Sequence, residues 1–301
     1  MNWLLFALLA PALDTLINFT DKYIIEREVT DYRGMPIYGT IVGLVVGTIY
    51  WIATGFPQLH PRDAALIIFT GMLSIWGLAL YFKALTLEET SRIIVFFKAI
   101  PIFILGLSYL FLKETINLQQ LLGFILILIA VLGVSKPSET NKLKSNFFSS
   151  ALGLILLVDI IWAIAAILVK FTIQQNSFSK IISYESWGVG LGGLILYIFF
   201  PSIRNAFHNT LRTVRKRALM IMFINESIFV FSRAVTFYAY SLGPTALVSV
   251  IGTTQVFYGI LYGYTLTNIA PKIFQENIQN KVITQKLIFA LILIIGIYLV
   301  S

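Results

Sequence analysis

Residues 136–146 read Lys136-Pro137-Ser138-Glu139-Thr140-Asn141-Lys142-Leu143-Lys144-Ser145-Asn146, a polar stretch in a chain otherwise built from apolar runs. Five such runs precede it, near 3–22, 35–54, 64–84, 91–112 and 118–135. Five follow it, near 148–171, 180–200, 218–241, 244–266 and 284–300. Each is roughly the 20 residues that an α-helix needs to cross a bilayer core. The pattern predicts an all-α integral membrane protein of ten transmembrane helices. A first five-helix unit covers 1–135, a linker covers 136–146 and a second unit covers 147–301.

Composition agrees with this reading. Of 301 residues, 58% are hydrophobic and 12% charged, with a mean hydropathy of +0.85. A soluble domain carries about 25% charged side chains. Ten spans leave connections too short to fold into an extramembrane domain. The net charge of +8 is expected from basic loops under the positive-inside rule rather than from nucleic-acid binding. With no cysteine, disulfides, thiolate nucleophiles and cysteine-bound metals are excluded. The N-terminus lacks the cationic start of a signal peptide, and Asp14 interrupts its apolar run, so it reads as a first span.

The two halves share features in the same order. The first span carries Asp14 and ends in Lys22-Tyr23-Ile24, and the sixth carries Asp159 and ends in Lys170-Phe171-Thr172. The second span has Gly39, Gly43 and Gly47, and the seventh has Gly188, Gly190, Gly192 and Gly193. Tyr81 to Leu85 leads into the fourth span as Phe237 to Ser241 leads into the ninth. Five spans per copy is an odd number, so the copies sit upside down relative to each other. Such inverted repeats build a site near the midplane that can open to either side. Charge tests the orientation. Connections after the odd-numbered spans hold 15 Lys/Arg and those after the even-numbered spans hold 4, which puts the former in the cytoplasm and both termini outside.

The segment from Tyr81 to Ser135 resembles the EamA-type half of the drug/metabolite transporter superfamily. The likeness rests on the Ala84-Leu85 turn, the central Pro101-Ile102-Phe103, the Leu112-Lys113-Glu114-Thr115 exit and the closing Leu132-Gly133. The second half keeps Ser241-Leu242-Gly243-Pro244 and has Gln255-Val256-Phe257 where the first has Ile100-Pro101-Ile102. It then departs, with polar residues 267–286 replacing the short Glu-containing exit. The resemblance implies a ten-helix carrier whose first, third, fourth, sixth, eighth and ninth spans surround a central cavity. It implies a small metabolite as cargo and no cofactor or enzymatic turnover.

Charges inside spans mark candidate site residues, because each costs at least about 2.5–3.5 kcal/mol at the bilayer centre and faces a cavity or a partner. Asp14 and Asp159 lie deep in their spans, with Asn18 and Trp162 one turn away on the same faces. They read as protonatable groups or substrate-ammonium contacts. The competing reading is structural pairing with a buried Lys or Arg. Lys98 precedes Pro101 by three residues, where a proline kinks a helix. It reads as an anion contact or as a cation snorkelling to the surface. Glu226 and Arg233 are seven residues apart, so they project from one face about 10 Å apart and cannot pair directly. A zwitterionic substrate between them satisfies both. Two separate ion pairs, for instance Arg233 with Asp14 or Asp159, satisfy them equally. Gln255, with Thr253 and Thr254, lines the cavity or bonds a neighbouring helix. Glu185 reads as an interface residue, the glycine faces 39/43/47 and 259/263 as helix packing, and His60 and His208 as loop residues.

The sequence holds no Ser/His/Asp set, paired-carboxylate motif, metal cluster or phosphate loop, which points away from an enzyme and calls for no metal. The expected function is a secondary transporter of an amino acid or related zwitterion, exported with proton coupling by alternating access. Its place is the plasma membrane of a prokaryotic cell, with a small-molecule substrate and the lipid bilayer as partners. A homodimer stays open. The alternatives are an exchanger of anionic or phosphorylated metabolites, including nucleotide sugars, and a non-transporting membrane sensor or assembly factor.

Overall fold

A computed structural model describes residues 2–29, 31–85, 99–134, 150–269 and 280–301. Among them the chain is helical, with no strand. In order come α1 (Asn2–Arg27), a short turn of 3-10 helix (Tyr32–Gly34), α2 (Met35–Ala53), α3 (Pro61–Leu85) and α4 (Ile100–Leu107). Then follow α5 (Leu118–Val134), α6 (Ser150–Ile173), α7 (Phe178–Phe199), α8 (Pro201–Thr213) and α9 (Lys216–Leu242). The last three are α10 (Thr245–Gly252), α11 (Gln255–Ile269) and α12 (Asn280–Val300).

Among the described residues, seven stretches are long and apolar enough to cross a membrane. They are Trp3–Ile25, Tyr32–Ala53, Pro61–Ala84, Gly153–Ile173, Phe178–Phe199, Lys216–Leu242 and Thr245–Gly263. Three shorter apolar helices, Ile100–Leu112, Leu118–Gly133 and Leu287–Val300, fall at the other expected runs. The outward faces carry Leu5, Ile49, Leu291, Ile294 and Tyr298, all exposed. Apolar side chains displayed over a whole surface suit hydrocarbon rather than water.

Proline sets where helices begin. Pro36, Pro101 and Pro201 occupy first-turn positions of α2, α4 and α8, and Pro244 caps α10. There the missing N–H is one that the first turn leaves unbonded in any case. The kink expected at Pro101 involves residues 91–98, which lie outside the described residues. α4 continues into a wider π turn over Ser108–Leu112 and stops at Lys113, whose backbone is left-handed (φ 56°). That conformation reverses the chain, as a helix C-terminus often does.

Two expectations about the course of the helices need correction. The run 244–266 is not one continuous helix. It breaks at Thr253-Thr254, where Thr253 N–H reaches the Val250 carbonyl (3.1 Å) and Thr254 N–H the Ile251 carbonyl (2.9 Å). Those tighter bonds end α10, and Thr253 Oγ1 also donates to the Val250 carbonyl at 2.6 Å. The second concerns 201–217, where His208 was read as a loop residue. Most of it is α8, an amphipathic helix that buries Ala206, Phe207 and Thr210. His208 stands on its exposed face and meets Tyr197 Oη at 2.8 Å through Nε2. The helix rests on the 3-10 turn, where a Cβ on Gly34 would lie 2.6 Å from the Phe207 nitrogen. Asp31 caps that turn by accepting from the Arg33 backbone, and the Arg33 side chain beside it holds the Asp31 carboxyl below the usual carboxylate range.

Close packing centres on α7, which lies between α2 and α3. A Cβ on Gly188 would sit 2.1 Å from the Ile68 carbonyl oxygen, and one on Gly71 would sit 2.2 Å from that of Glu185. Small residues admit that approach, and in lipid it supplies much of the attraction between helices. Gly43 and Gly47 pack against the Ser183–Trp187 stretch of α7, as expected. Gly259 does not pack: a Cβ there meets nothing within 4 Å.

Candidate substrate site

α9 crosses α1 along a seam of paired polar groups. Asn225 Nδ2 donates to Asp21 Oδ1 at 2.7 Å, and Ser232 Oγ donates to Asp14 Oδ1 at 2.5 Å. Each partner on one helix is seven residues from the next, and the order reverses between helices, so α1 and α9 run antiparallel. Ser232 Oγ also reaches the Ala10 carbonyl at 3.2 Å. The first Asp of the sequence therefore holds the α1–α9 seam.

On another face of α9, Glu226 and Arg233 line one cleft with Gly39, Ser74, Ile75, Leu78, Val189, Phe229 and Val230. Four helices contribute: α2, α3, α7 and α9. The cleft is nearly closed, with about 10 Å³ of free volume, roughly what a single water molecule needs. Gly39 makes room for the carboxylate, because a Cβ there would lie 2.9 Å from Glu226 Oε2.

Arg233 is ion-paired with Glu185 of α7. It also donates from Nη2 to Ser74 Oγ at 3.2 Å, with the Phe229 and Phe237 rings 5.5 and 5.7 Å from its guanidinium carbon. The reading of Glu185 as an interface residue is thus corrected. It is only 3% exposed and neutralises the central arginine. The ion pair that the structure shows for Arg233 is the one with Glu185. The signal was present, since Glu185 is the one acidic residue between Phe178 and Phe199. A buried charge in a span calls for a partner wherever it lies.

The other expected site residues fall as follows. Asp159 is fully buried on α6. Trp162, one turn on, donates from Nε1 to the Ser74 carbonyl at 3.4 Å and so borders the residue that meets Arg233. Asn18 is exposed on α1 and stands apart from the cleft. Gln255 opens α11, and its backbone carbonyl accepts from Thr15 Oγ1 at 3.2 Å. Lys98 lies outside the described residues. Among the described residues no cluster of three or more His, Asp or Glu is arranged to hold a metal ion.

Apolar helices that bury carboxylates and a guanidinium around a common cleft define a multi-pass membrane protein with a polar interior site. Residues 2–136, a little under half of the chain, match the EamA-like transporter family. That family is one of transporters rather than enzymes. No curated protein matches the chain. A solved structure described only as the crystal structure of a protein is similar over 100% of this chain and 98% of its own, with 13% identity and a TM-score of 0.67. At that identity the likeness shows the fold alone.

Proposed function

We propose that the protein is a secondary transporter that exports a small amine-bearing metabolite, an amino acid or related zwitterion, by alternating access across a prokaryotic plasma membrane. The observation that carries this reading is the pair Glu226 and Arg233, buried in the apolar interior yet facing one cleft shared by four helices. A charge there is costly and is retained for what it binds. Arg233 already has an anionic partner in Glu185, which favours an amine-bearing cargo over a phosphorylated one.

Alternating access rests on ten spans arranged as two inverted repeats, 1–135 and 147–301. The packing supports that arrangement. Exchange α1 to α5 with α6, α7, α9, α10–α11 and α12, and the helix partners map onto each other. α1 packs on α9 as α6 packs on α3; α4 packs on α6 as α10–α11 packs on α1; α2 pairs with α7 and α5 with α12. The broken helix at Thr253-Thr254 fits the discontinuous helices that line carrier sites.

The test is counterflow of labelled amino acids into proteoliposomes preloaded with the unlabelled compound. Uptake no faster than in protein-free vesicles sinks the transport reading. Proton coupling through Asp14 or Asp159 is a separate part of the proposal. It is abandoned if Asp14→Asn and Asp159→Asn both leave the pH dependence of flux unchanged.

A further inference from the structure

Arg233 and Glu226 share the cleft but differ in what they already hold. Arg233 is satisfied by Glu185, Ser74 and two aromatic rings. Glu226 is 9% exposed and makes no hydrogen bond or ion pair among the described residues. Seven residues of helix separate the two, about 10 Å along the axis, so the guanidinium does not reach back to the carboxylate. Asp21 is drawn to the same region by Asn225, the neighbour of Glu226 in the chain. Among the described residues that line the cleft, the charged groups are Arg233, already paired with Glu185, and the carboxylate of Glu226. A buried carboxylate without a counter-charge is strongly disfavoured and is stabilised by whatever cation it can take up. The rest of the lining is mostly apolar: Ile75, Leu78, Val189, Phe229 and Val230.

We infer that Glu226 is the receptor for the substrate's ammonium group, and that the cleft selects a small primary amine with an apolar body without holding a substrate carboxylate on Arg233. This rests on the carrier reading above and narrows it. The ammonium donates to Glu226, and the body lies against the five apolar side chains. Arg233 and Glu185 act as a neutral strut between α9 and α7. Gly39 lets the Glu226 carboxylate sit against α2, since a methyl there would press on Oε2. An amino acid binds through its amine, and its decarboxylated amine binds at least as well.

Three probes of one shape separate the possibilities: isopentylamine, L-leucine and N-acetyl-L-leucine, titrated calorimetrically into the detergent-purified full chain. The expected result is binding of the amine and of leucine, the amine at least as tightly, and silence from the acetylated compound. Glu226→Gln raises the Kd for isopentylamine at least tenfold, and Glu226→Asp, which keeps the charge on a shorter stem, raises it less. Both variants are first required to unfold at or above the wild-type temperature without ligand, which separates lost binding from lost fold. Amine affinity unchanged in Glu226→Gln overturns the inference. So does binding of N-acetyl-L-leucine as tight as that of leucine, or silence from all three probes. Flux in proteoliposomes separates this from the carrier reading. Leucine transport that isopentylamine does not inhibit sinks the amine site and leaves the carrier standing. Amine binding lost in Glu226→Gln, with no flux of any amino acid, does the reverse.

Discussion

Lys170, in the last turn of α6, donates from Nζ to the Gly243 carbonyl at 2.8 Å and so closes the C-terminal end of α9. A second bond runs to the Tyr240 carbonyl at 2.6 Å, and Glu114 Oε1 lies 3.4 Å from the same ammonium. Glu114 in turn accepts from the Thr245 backbone N–H at 2.8 Å and from its hydroxyl at 3.2 Å, which caps the start of α10. One ion pair thus serves two helix ends. A cation sits where α9 leaves carbonyls unbonded, and an anion sits where α10 leaves N–H groups unbonded.

Removing Lys170 is therefore more damaging than removing a surface charge. Lys170→Met strands the Glu114 carboxylate and two carbonyls in a buried junction, and its expected cost is about 3–5 kcal/mol. Glu114→Gln keeps a hydrogen-bonding side chain at Thr245 and is expected to cost less. Thermal unfolding of both variants in detergent checks the order. Equal stability for Lys170→Met and the wild type contradicts the cap.

The α3–α7 crossing gives a sharper contrast. Gly188→Ala drives a methyl into the Ile68 carbonyl, and the helices have to part, at an expected cost of about 1–3 kcal/mol or more. Gly106→Ala, in α4, meets nothing within 4 Å and removes a helix-weakening glycine, for an expected gain of up to about 1 kcal/mol. Opposite signs in a single unfolding experiment are the expected outcome.

How far the sequence speaks for itself differs between these features. The apolar runs were legible because length and hydropathy alone set a span, and the long helices fall where those runs lie. The Lys170 cap was not, since its partners sit 70 and 73 residues away and nothing local marks them. α8 is hidden in the sequence because Arg204, His208, Arg212 and the following Arg215-Lys216-Arg217 dominate a stretch whose apolar residues fill only one face. Glu226 and Arg233 stood out through their charge and spacing. Their different fates depended on Glu185, 48 positions before Arg233 in the chain, and spacing cannot report a contact between helices.

That contact is itself measurable. Glu185→Gln and Arg233→Gln each leave the other charge buried without its partner and are expected to destabilise strongly. The double variant leaves two neutral amides. It should cost less than the two single changes together, with a coupling of about 1–3 kcal/mol. Strictly additive losses mean that the pair contributes nothing as a pair.

Orientation can be tested with unusual ease because the chain has no cysteine to remove. α7 has 22 residues, about 33 Å of helix, enough to carry its two ends to opposite faces of a bilayer. Gln175 is exposed just before it, and Thr213 is exposed at the end of α8 beyond it. The loop charges place the Arg-rich side, with Thr213, in the cytoplasm. In right-side-out vesicles a membrane-impermeant maleimide is expected to label Gln175→Cys and to spare Thr213→Cys until the membrane is permeabilised. The reversed pattern means that the charge bias misreads the orientation while the crossing stands. Labelling of both positions from one side means that α7 does not cross. The odd number of spans per half then fails, and with it the reason for reading the two halves as inverted.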